Sequence, residues 1–267
     1  VISGEVALDL TDKVELPRLY LAYPGPAAFD KDEAALDVLS TILSDGKSSR
    51  LYRSLVYEKQ IVRDVSVGNY AQEIAGEINI QVTASPGHSL DEIQSVLEGE
   101  LDRARTKEPT DHEIQRAINR IESHNVRQIE QLGGFGGRAD QLNYFSVLAG
   151  DPGLVSTYPD RYKAVTAEQV SAAASRFLGD RRVELTVTPK EIPNLVWSAP
   201  PAINYGVPLG SAQLFVFPTG GVTGSFSFSP PEGTVLDAGI QPLSAVFTPD
   251  NTTRYEAVSK SVDLTVN

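Results

Sequence analysis

His88, His112 and His124 are the only histidines among 267 residues, and there is no cysteine, so few residues could hold a transition metal. A helical zinc site needs two ligands on one face, as in His-x-x-Glu-His or His-Glu-x-x-His, usually with a more distant acid. Neither string occurs, because His112-Glu113 continues into Ile114-Gln115-Arg116. His124 follows Ile121 by three residues, a spacing that predicts a histidine at the edge of a core stripe. His88 stands in a Pro-Gly turn before a helix start and is expected to be an exposed loop residue. No metal ligand and no cofactor site are therefore expected in this chain. Nucleophilic catalysis has no motif either: there is no Gly-x-Ser-x-Gly elbow and no thiol. Asp30, Asp32 and Glu33 fall in the first turn of a predicted helix, where the helix dipole accounts for them. The run Gly133–Gly137 has neither the preceding strand nor the following Lys-Ser/Thr of a phosphate loop, and reads as a break between helices.

The elements that surround these residues have a clear pattern. Leu19, Leu21 and Tyr23 alternate with Tyr20 and Ala22 in a short strand closed by Pro24-Gly25-Pro26. Leu36, Leu39, Ile42 and Leu43 have helical spacing, with Asp30-x-x-Glu33 before them as the expected N-cap. Residues 76–83 alternate strictly, Ile78, Ile80 and Val82 against Glu77, Asn79, Gln81 and Thr83, which predicts a half-buried strand. Leu90, Ile93, Leu97, Leu101 and Ala104 form one helical stripe, and Ile114, Ile118 and Ile121 another. Ser89-x-x-Glu92, Thr110-x-x-Glu113 and Thr166-x-x-Gln169 read as capping boxes, the last opening a helix through Phe177. Val183, Leu185 and Val187 make a final strand. The expected fold class is α+β, with helices packed on one face of a mainly antiparallel sheet.

Composition changes near Pro189. The first 190 residues hold 50 charged side chains and the last 77 only 8, while 9 of the 17 prolines lie in those last 77. A boundary is expected there, with domains at 1–190 and 191–267 and Pro189–Pro193 as linker. The second part reads as all-β: Ser225–Ser229, Leu243–Phe247 and Val262–Val266 alternate, with Gly- and Pro-rich turns between them, as in a small sandwich. The net charge of −12 argues against nucleic acid, whose phosphates need a clustered basic face. No apolar run reaches the ~18–20 residues of a membrane-spanning helix, so no membrane insertion is expected. With no Met anywhere, Val1 reads as an internal residue of a longer product.

The stretch Asp45-Gly46-Lys47-Ser48-Ser49-Arg50-Leu51-Tyr52-Arg53-Ser54-Leu55-Val56-Tyr57-Glu58-Lys59-Gln60-Ile61 resembles a signature of the insulinase-type (M16) zinc peptidases. Leu16–Pro24 followed by Asp32–Leu39 resembles that family's opening strand and first helix. Gly136–Asn143 with Gly150-Asp151-Pro152 resembles its helical junction, and Val165–Val170 its last helix start. The likeness covers about residues 1–190 and is to the second, non-zinc domain of the pair. It implies a non-catalytic half that closes a chamber and binds extended peptide. Zinc would then come from a zinc-bearing M16 domain in the same or another chain. In that family the non-zinc domain often supplies an Arg and a Tyr that help hold the substrate carbonyl; the matching positions here are Val56 and Arg63. Arg63 and Tyr57 remain as candidates for contact with peptide in the chamber. Trp197–Gly206, Leu209–Leu214, Gly224-Ser225-Phe226, Gly233–Gly239 and Phe247–Asp250 resemble a bacterial Ig-like repeat, which implies a spacer or adhesion module and a periplasmic or extracellular setting. The alternative is a non-enzymatic peptide-binding or structural module carrying an Ig-like tail.

Overall fold

The computed structural model describes residues 2–267. The chain divides into two compact units. One comprises the residues up to Leu10 together with Leu16–Val187; the other comprises Thr11–Glu15 and Thr188–Asn267. The elements run β1 (Val6–Asp12), β2 (Arg18–Gly25), α1 (Glu33–Ser44), a π-helical turn (Tyr52–Glu58), β3 (Val62–Tyr70), β4 (Gly76–Ala84), α2 (Leu90–Thr106) and α3 (Asp111–Glu130). There follow α4 (Arg138–Tyr144), a second π-helical turn (Phe145–Ala149), α5 (Leu154–Thr157), α6 (Asp160–Lys163), α7 (Ala167–Phe177) and β5 (Val183–Pro189).

The first unit is built on a five-stranded sheet in the order β1-β5-β2-β4-β3. The β5–β2, β2–β4 and β4–β3 pairings are antiparallel. β1 runs parallel to β5, since Val6 N–H donates to Arg182 while Lys190 N–H donates to Asp12. Alternation sets the register. Leu21 lies opposite Ile80 and Leu19 opposite Val82; Val65 and Val67 lie opposite Val82 and Ile80. These side chains make one apolar face. A one-residue slip would turn all of them outward, so burial of this face locks the pairing.

That face carries the helices. α1 packs on β3 and α7 on β2, while α3 packs on α1 and α2 on α7. The core joins Leu36, Leu39 and Leu43 of α1 to Ile93, Leu97 and Leu101 of α2 and to Val170 and Ala174 of α7. Arg182, only 8% exposed, is balanced within this core by Glu184 at 3.1 Å, by Glu5 at 3.2 Å and by Glu98. A guanidinium removed from water needs such partners.

Two of the three expected capping boxes are complete. Thr110 and Thr166 each accept from the backbone three residues on, and Glu113 and Gln169 each reach back to the cap N–H. At Ser89 only half forms: Ser89 accepts from Glu92 N–H, while the Glu92 carboxylate meets His88 Nδ1 at 3.0 Å. The cap expected at Asp30 is absent. α1 starts at Glu33 after Asp32, which makes no side-chain cap bond, and Asp30 Oδ1 accepts from Asp32 N–H instead.

The second unit is all-β. β8 (Gly224–Ser229), β9 (Gly239–Pro249) and β10 (Val258–Val266) form an antiparallel sheet in the order β10-β9-β8, and β6 (Leu195–Trp197) pairs with β7 (Val216–Pro218). Leu195, Trp197 and Val216 share one core with Leu243, Ala245, Phe247 and Leu264. Trp197 donates its indole N–H to the Gln213 carbonyl at 3.1 Å, which satisfies its polar edge. The segment expected as a linker is fastened down within this unit. Lys190 N–H donates to Asp12, and Glu191 pairs with Arg254 and bridges to Tyr255.

Candidate functional site

The turn into the first π-helical segment is held by its own polar groups. Gly46 has φ +84°, a left-handed conformation that a side chain would strain. Ser49 is fully buried and donates its hydroxyl to the Gly46 carbonyl at 2.7 Å. Arg50 lays a two-pronged guanidinium on Glu113, Nε to Oε1 at 2.6 Å and Nη2 to Oε2 at 3.0 Å. Glu113 is the acid that also closes the α3 capping box, accepting from Thr110 N–H at 2.8 Å. Arg50 beside it, reinforced by Thr110, holds the Glu113 carboxyl down at about 2. Asp45 likewise ties the turn to α3: its carbonyl accepts from Arg116 at 2.9 Å and its carboxylate receives Arg120. Leu51 and Leu55 then enter the core with no exposure.

The two candidate peptide contacts lie just beyond. Val56 is half-buried and packs against the core. Tyr57 is 74% exposed. Gln60 sits at φ +57°, the only left-handed non-glycine besides Phe29 among the described residues. The register of β3 against β4 shifts between Val62 and Asp64, so Arg63 is the extra residue of a β-bulge and is exposed. Bulges re-aim a side chain without ending a strand. Asp64 accepts from Thr83 across the ladder rather than pairing with Arg63.

The sheet face away from the helices continues from this bulge. It carries Asp64, Ser66 and Tyr70 of β3, Glu77, Asn79 and Gln81 of β4, and Arg18, Tyr20 and Ala22 of β2. Thr186 of β5 donates to Asp9, which puts Asp9 on the helix side and turns Leu8 and Leu10 the other way. Val6, Leu8 and Leu10 are 44%, 50% and 46% exposed. The open face thus grades from polar at β3 to apolar at β1.

On the helix side, α1 and α6 share a polar network that the sequence did not disclose. Glu33 is buried and accepts from Phe29 N–H at 2.7 Å, from Arg161 at 2.9 Å and from the Tyr158 hydroxyl. One turn later Asp37 accepts from Tyr162 at 2.8 Å and from Asn69 at 2.9 Å. Burial, partly offset by these two donors, pushes the Asp37 carboxyl up to about 6. The same environment raises the Tyr158 and Tyr162 hydroxyls well above their ordinary range, chiefly by burial. No hydroxyl here is readily ionised and each carboxylate is engaged, so the network fastens α5 and α6 to α1. Asp37 and Tyr162 also line a cleft of about 580 Å³ between α1 and α3, with Arg120, His124 and Arg127 opposite.

The histidines do not fit a zinc site. His88 is engaged by Glu92, and His112 and His124 are exposed on α3. The core-edge position expected for His124 is corrected: α3 fully buries only Ile114, Ala117 and Ile118, Ile121 packs against the core while partly buried, and His124 beyond it is exposed. Among the described residues no three His, Cys, Asp or Glu side chains gather as metal ligands.

A one-sided, helix-covered sheet with a tightly bonded turn after its first helix defines the class. Residues 2–121 match the family described as the Peptidase M16 inactive domain. The chain is 28% identical over 187 residues to an uncharacterized zinc protease of Streptomyces coelicolor, covering 69% of this chain and 39% of that protein. Its fold matches the inactive peptidase domain of a protein described as a zinc protease from Bordetella parapertussis, at a TM-score of 0.60 and 25% identity over 69% of this chain and 97% of that one. It also matches a protease from Helicobacter pylori at a TM-score of 0.62 and 19% identity, over 70% of this chain and 45% of that one. The N-terminal unit thus resembles the inactive domains of M16-type zinc proteases, and the chain spans well under half the length of the Streptomyces relative.

Proposed function

We propose that the first unit is the non-catalytic half of an M16-type zinc peptidase, closing a peptide-binding chamber against a zinc-bearing domain of the same or another chain. The observation that carries this reading is the open sheet face: five strands covered by helices on one side only, in a unit resembling inactive peptidase domains and with no metal-ligand cluster among the described residues. Extended peptide would lie along that face. The bulge at Arg63 and the exposed ring of Tyr57 are this half's side chains for contacting it. Zinc and its ligands belong to the partner. The second unit is read as an Ig-like spacer, and the setting as periplasmic or extracellular.

The test is reconstitution. The purified chain is mixed with a zinc-bearing M16 domain from the same genome and peptide cleavage is followed, each component alone serving as control. Cleavage only in the mixture is expected. Zinc-dependent cleavage by this chain alone, surviving repurification, would sink the proposal.

A second reading, a non-enzymatic peptide-binding or structural module, has one observation in its favour. Val56 and Arg63 stand where the family resemblance places the assisting Arg and Tyr, and Val56 is engaged in packing. Failure of the two halves to associate at micromolar concentration would favour it.

A further inference from the structure

Phe29, Tyr144, Phe145 and Tyr158 gather beside the start of α1, with neighbouring ring centroids 5.1–5.9 Å apart. Tyr144, Phe145 and Tyr158, together with Tyr162, line a pocket of about 170 Å³ whose wall also includes Glu33. Glu33 is only 7% exposed. Its three donors, Phe29 N–H, Arg161 and the Tyr158 hydroxyl, all meet Oε2. Oε1 accepts from nothing among the described residues, yet it is not sealed away: the buried side-chain atoms left without partners belong to Arg18, Asn69, Arg116 and Arg182. A carboxylate oxygen with free lone pairs therefore opens into an aromatic pocket. Two carboxyls, Glu33 and Asp37, stand beside the single cation Arg161, for Asp37 is bonded only to the neutral Tyr162 and Asn69. The negative charge is felt at the pocket wall, where the Tyr144 hydroxyl is raised by burial and then by Glu33 and Asp37. Ring faces attract cations, most strongly where water is excluded, and Arg161 already lies over Tyr158 at 4.7 Å from the ring centroid.

We propose that this pocket binds a primary alkylammonium group, as at the end of a lysine side chain, with Glu33 Oε1 as its anchor and the rings of Tyr144, Phe145 and Tyr158 as its walls. The charge fits, because one ammonium offsets the carboxylate that Arg161 leaves uncompensated. The donors fit as well. An ammonium has three N–H groups, and Oε1 takes one. The half-buried amides of Asn125, Gln128 and Gln141 line the same pocket, form no side-chain hydrogen bond among the described residues, and offer carbonyl oxygens for the others. A quaternary ammonium would leave those acceptors unmet. Ile129 and Val155 give apolar contact to the methylenes behind the charge. The volume lies below the roughly 300 Å³ at which sites for drug-sized ligands begin, which suits the end of a chain. The pocket is on the helix-covered side of the first unit, and the inference is independent of the peptidase reading, which rests on the open sheet face.

Isothermal titration calorimetry of the full 267-residue chain with n-butylammonium chloride tests it, at neutral pH and an ionic strength held constant with sodium chloride. Saturable binding is expected, with neutral n-butanol about tenfold weaker or worse for want of the charge-assisted hydrogen bond. Tyr144→Leu keeps an apolar wall but removes a ring, and should weaken binding about fivefold, the size of a partly desolvated cation–π contact. Glu33→Gln should weaken it about tenfold. Because Glu33 also holds Arg161 and Tyr158, circular dichroism checks the fold of that variant, and half-buried Tyr144 keeps the test decisive if Glu33→Gln misfolds. Tyr205→Leu, at an exposed ring of the second unit, should leave binding unchanged. Nα-acetyl-lysine amide distinguishes the sources of the cation: binding as tight as that of butylammonium assigns the pocket to lysine side chains, and weaker binding assigns it to free amines. The proposal is overturned by absence of saturable butylammonium binding, by n-butanol or tetramethylammonium binding as tightly, or by Tyr144→Leu binding like the parent.

Discussion

Arg50 and Arg63 stand thirteen residues apart on either side of one π-helical turn, and their situations are opposite. Arg50 is mostly buried, forked onto Glu113 and thereby joined to the capping box of α3. Arg63 is exposed on a bulge and forms no hydrogen bond or ion pair among the described residues. The difference separates two kinds of sequence signal. In the Ser-Ser-Arg-Leu turn that carries the family resemblance, three of the four side chains serve the fold: Ser49 closes the turn, Arg50 ties it to α3 and Leu51 fills the core. The bulge that follows has no such demands on it, and there the chain departs from the Arg and Tyr of the resemblance.

Breaking the buried side of this comparison should have the largest effect. Arg50→Ala leaves Glu113 half-buried without its cation and is expected to cost about 2 kcal/mol at pH 7, discounted for the partial exposure of both groups. The pH dependence gives the sign. The carboxyl of Glu113 titrates at about 2 when folded, against an ordinary 4.5. Its contribution is therefore present above pH 4.5 and lost as pH falls through 2. Denaturant unfolding of the parent and of Arg50→Ala should thus converge toward pH 2. A gap that stays constant from pH 7 to pH 2 would show that Arg50 acts by packing alone.

Much of this architecture could be read beforehand because it is local. The alternation of Ile78, Ile80 and Val82, and the boxes at Thr110 and Thr166, lie within a few residues of the elements they specify. β1 is not among the predicted elements, although Val6, Leu8 and Leu10 alternate around Ala7 and Asp9. Its neighbour is β5, roughly 177 positions away, and both of its faces are exposed, so no burial reinforced the pattern. The network of Glu33 and Asp37 was illegible for the same reason of distance. Its partners Tyr158, Arg161 and Tyr162 are 125 or more residues away, and Glu33 reads instead as a helix-dipole charge. The Pro189–Pro193 segment looked like a linker by composition, but its backbone finds partners in Asp12 and Arg254.

Asp37 offers the next largest effect. Its folded carboxyl is raised to about 6 from an ordinary 3.8. The group favours the folded state fully below pH 3.8, and that benefit is lost as pH rises through 6. At pH 7 the ionised form is a burden of about 1–2 kcal/mol, allowing for its place on a cleft wall. Asp37→Asn removes the charge and keeps the shape. With the Asn69 amide flipped, its carbonyl oxygen, otherwise buried without a partner, can accept from the new amide while the new carbonyl still accepts from Tyr162. Asp37→Asn should therefore stabilise the chain at pH 7 and lose that advantage by pH 4. Destabilisation at both pH values would mean that the charge itself holds Tyr162 in place.

Gln60 ends the same turn in a left-handed conformation. For a residue with a side chain this costs about 1 kcal/mol. Gln60→Gly should recover about 0.5–1 kcal/mol at any pH, because no titrating group is involved, and thermal unfolding at pH 5 and pH 7 would show the same rise. Gln60→Val, β-branched at the same position, should lower stability instead. If both substitutions destabilise, the Gln60 side chain contributes contacts that outweigh the strain.

Arg63→Ala and Tyr57→Ala should change stability least, within about 0.5 kcal/mol, as exposed positions without partners generally do. That small effect is what gives them value as probes. Any change they cause in peptide binding by a reconstituted assembly would arise at the surface and not from unfolding. Loss of binding with stability unchanged would place the bulge in contact with peptide. A stability loss as large as that of Arg50→Ala would instead mean that both sides of the turn serve the fold, and the contrast between the two arginines would disappear.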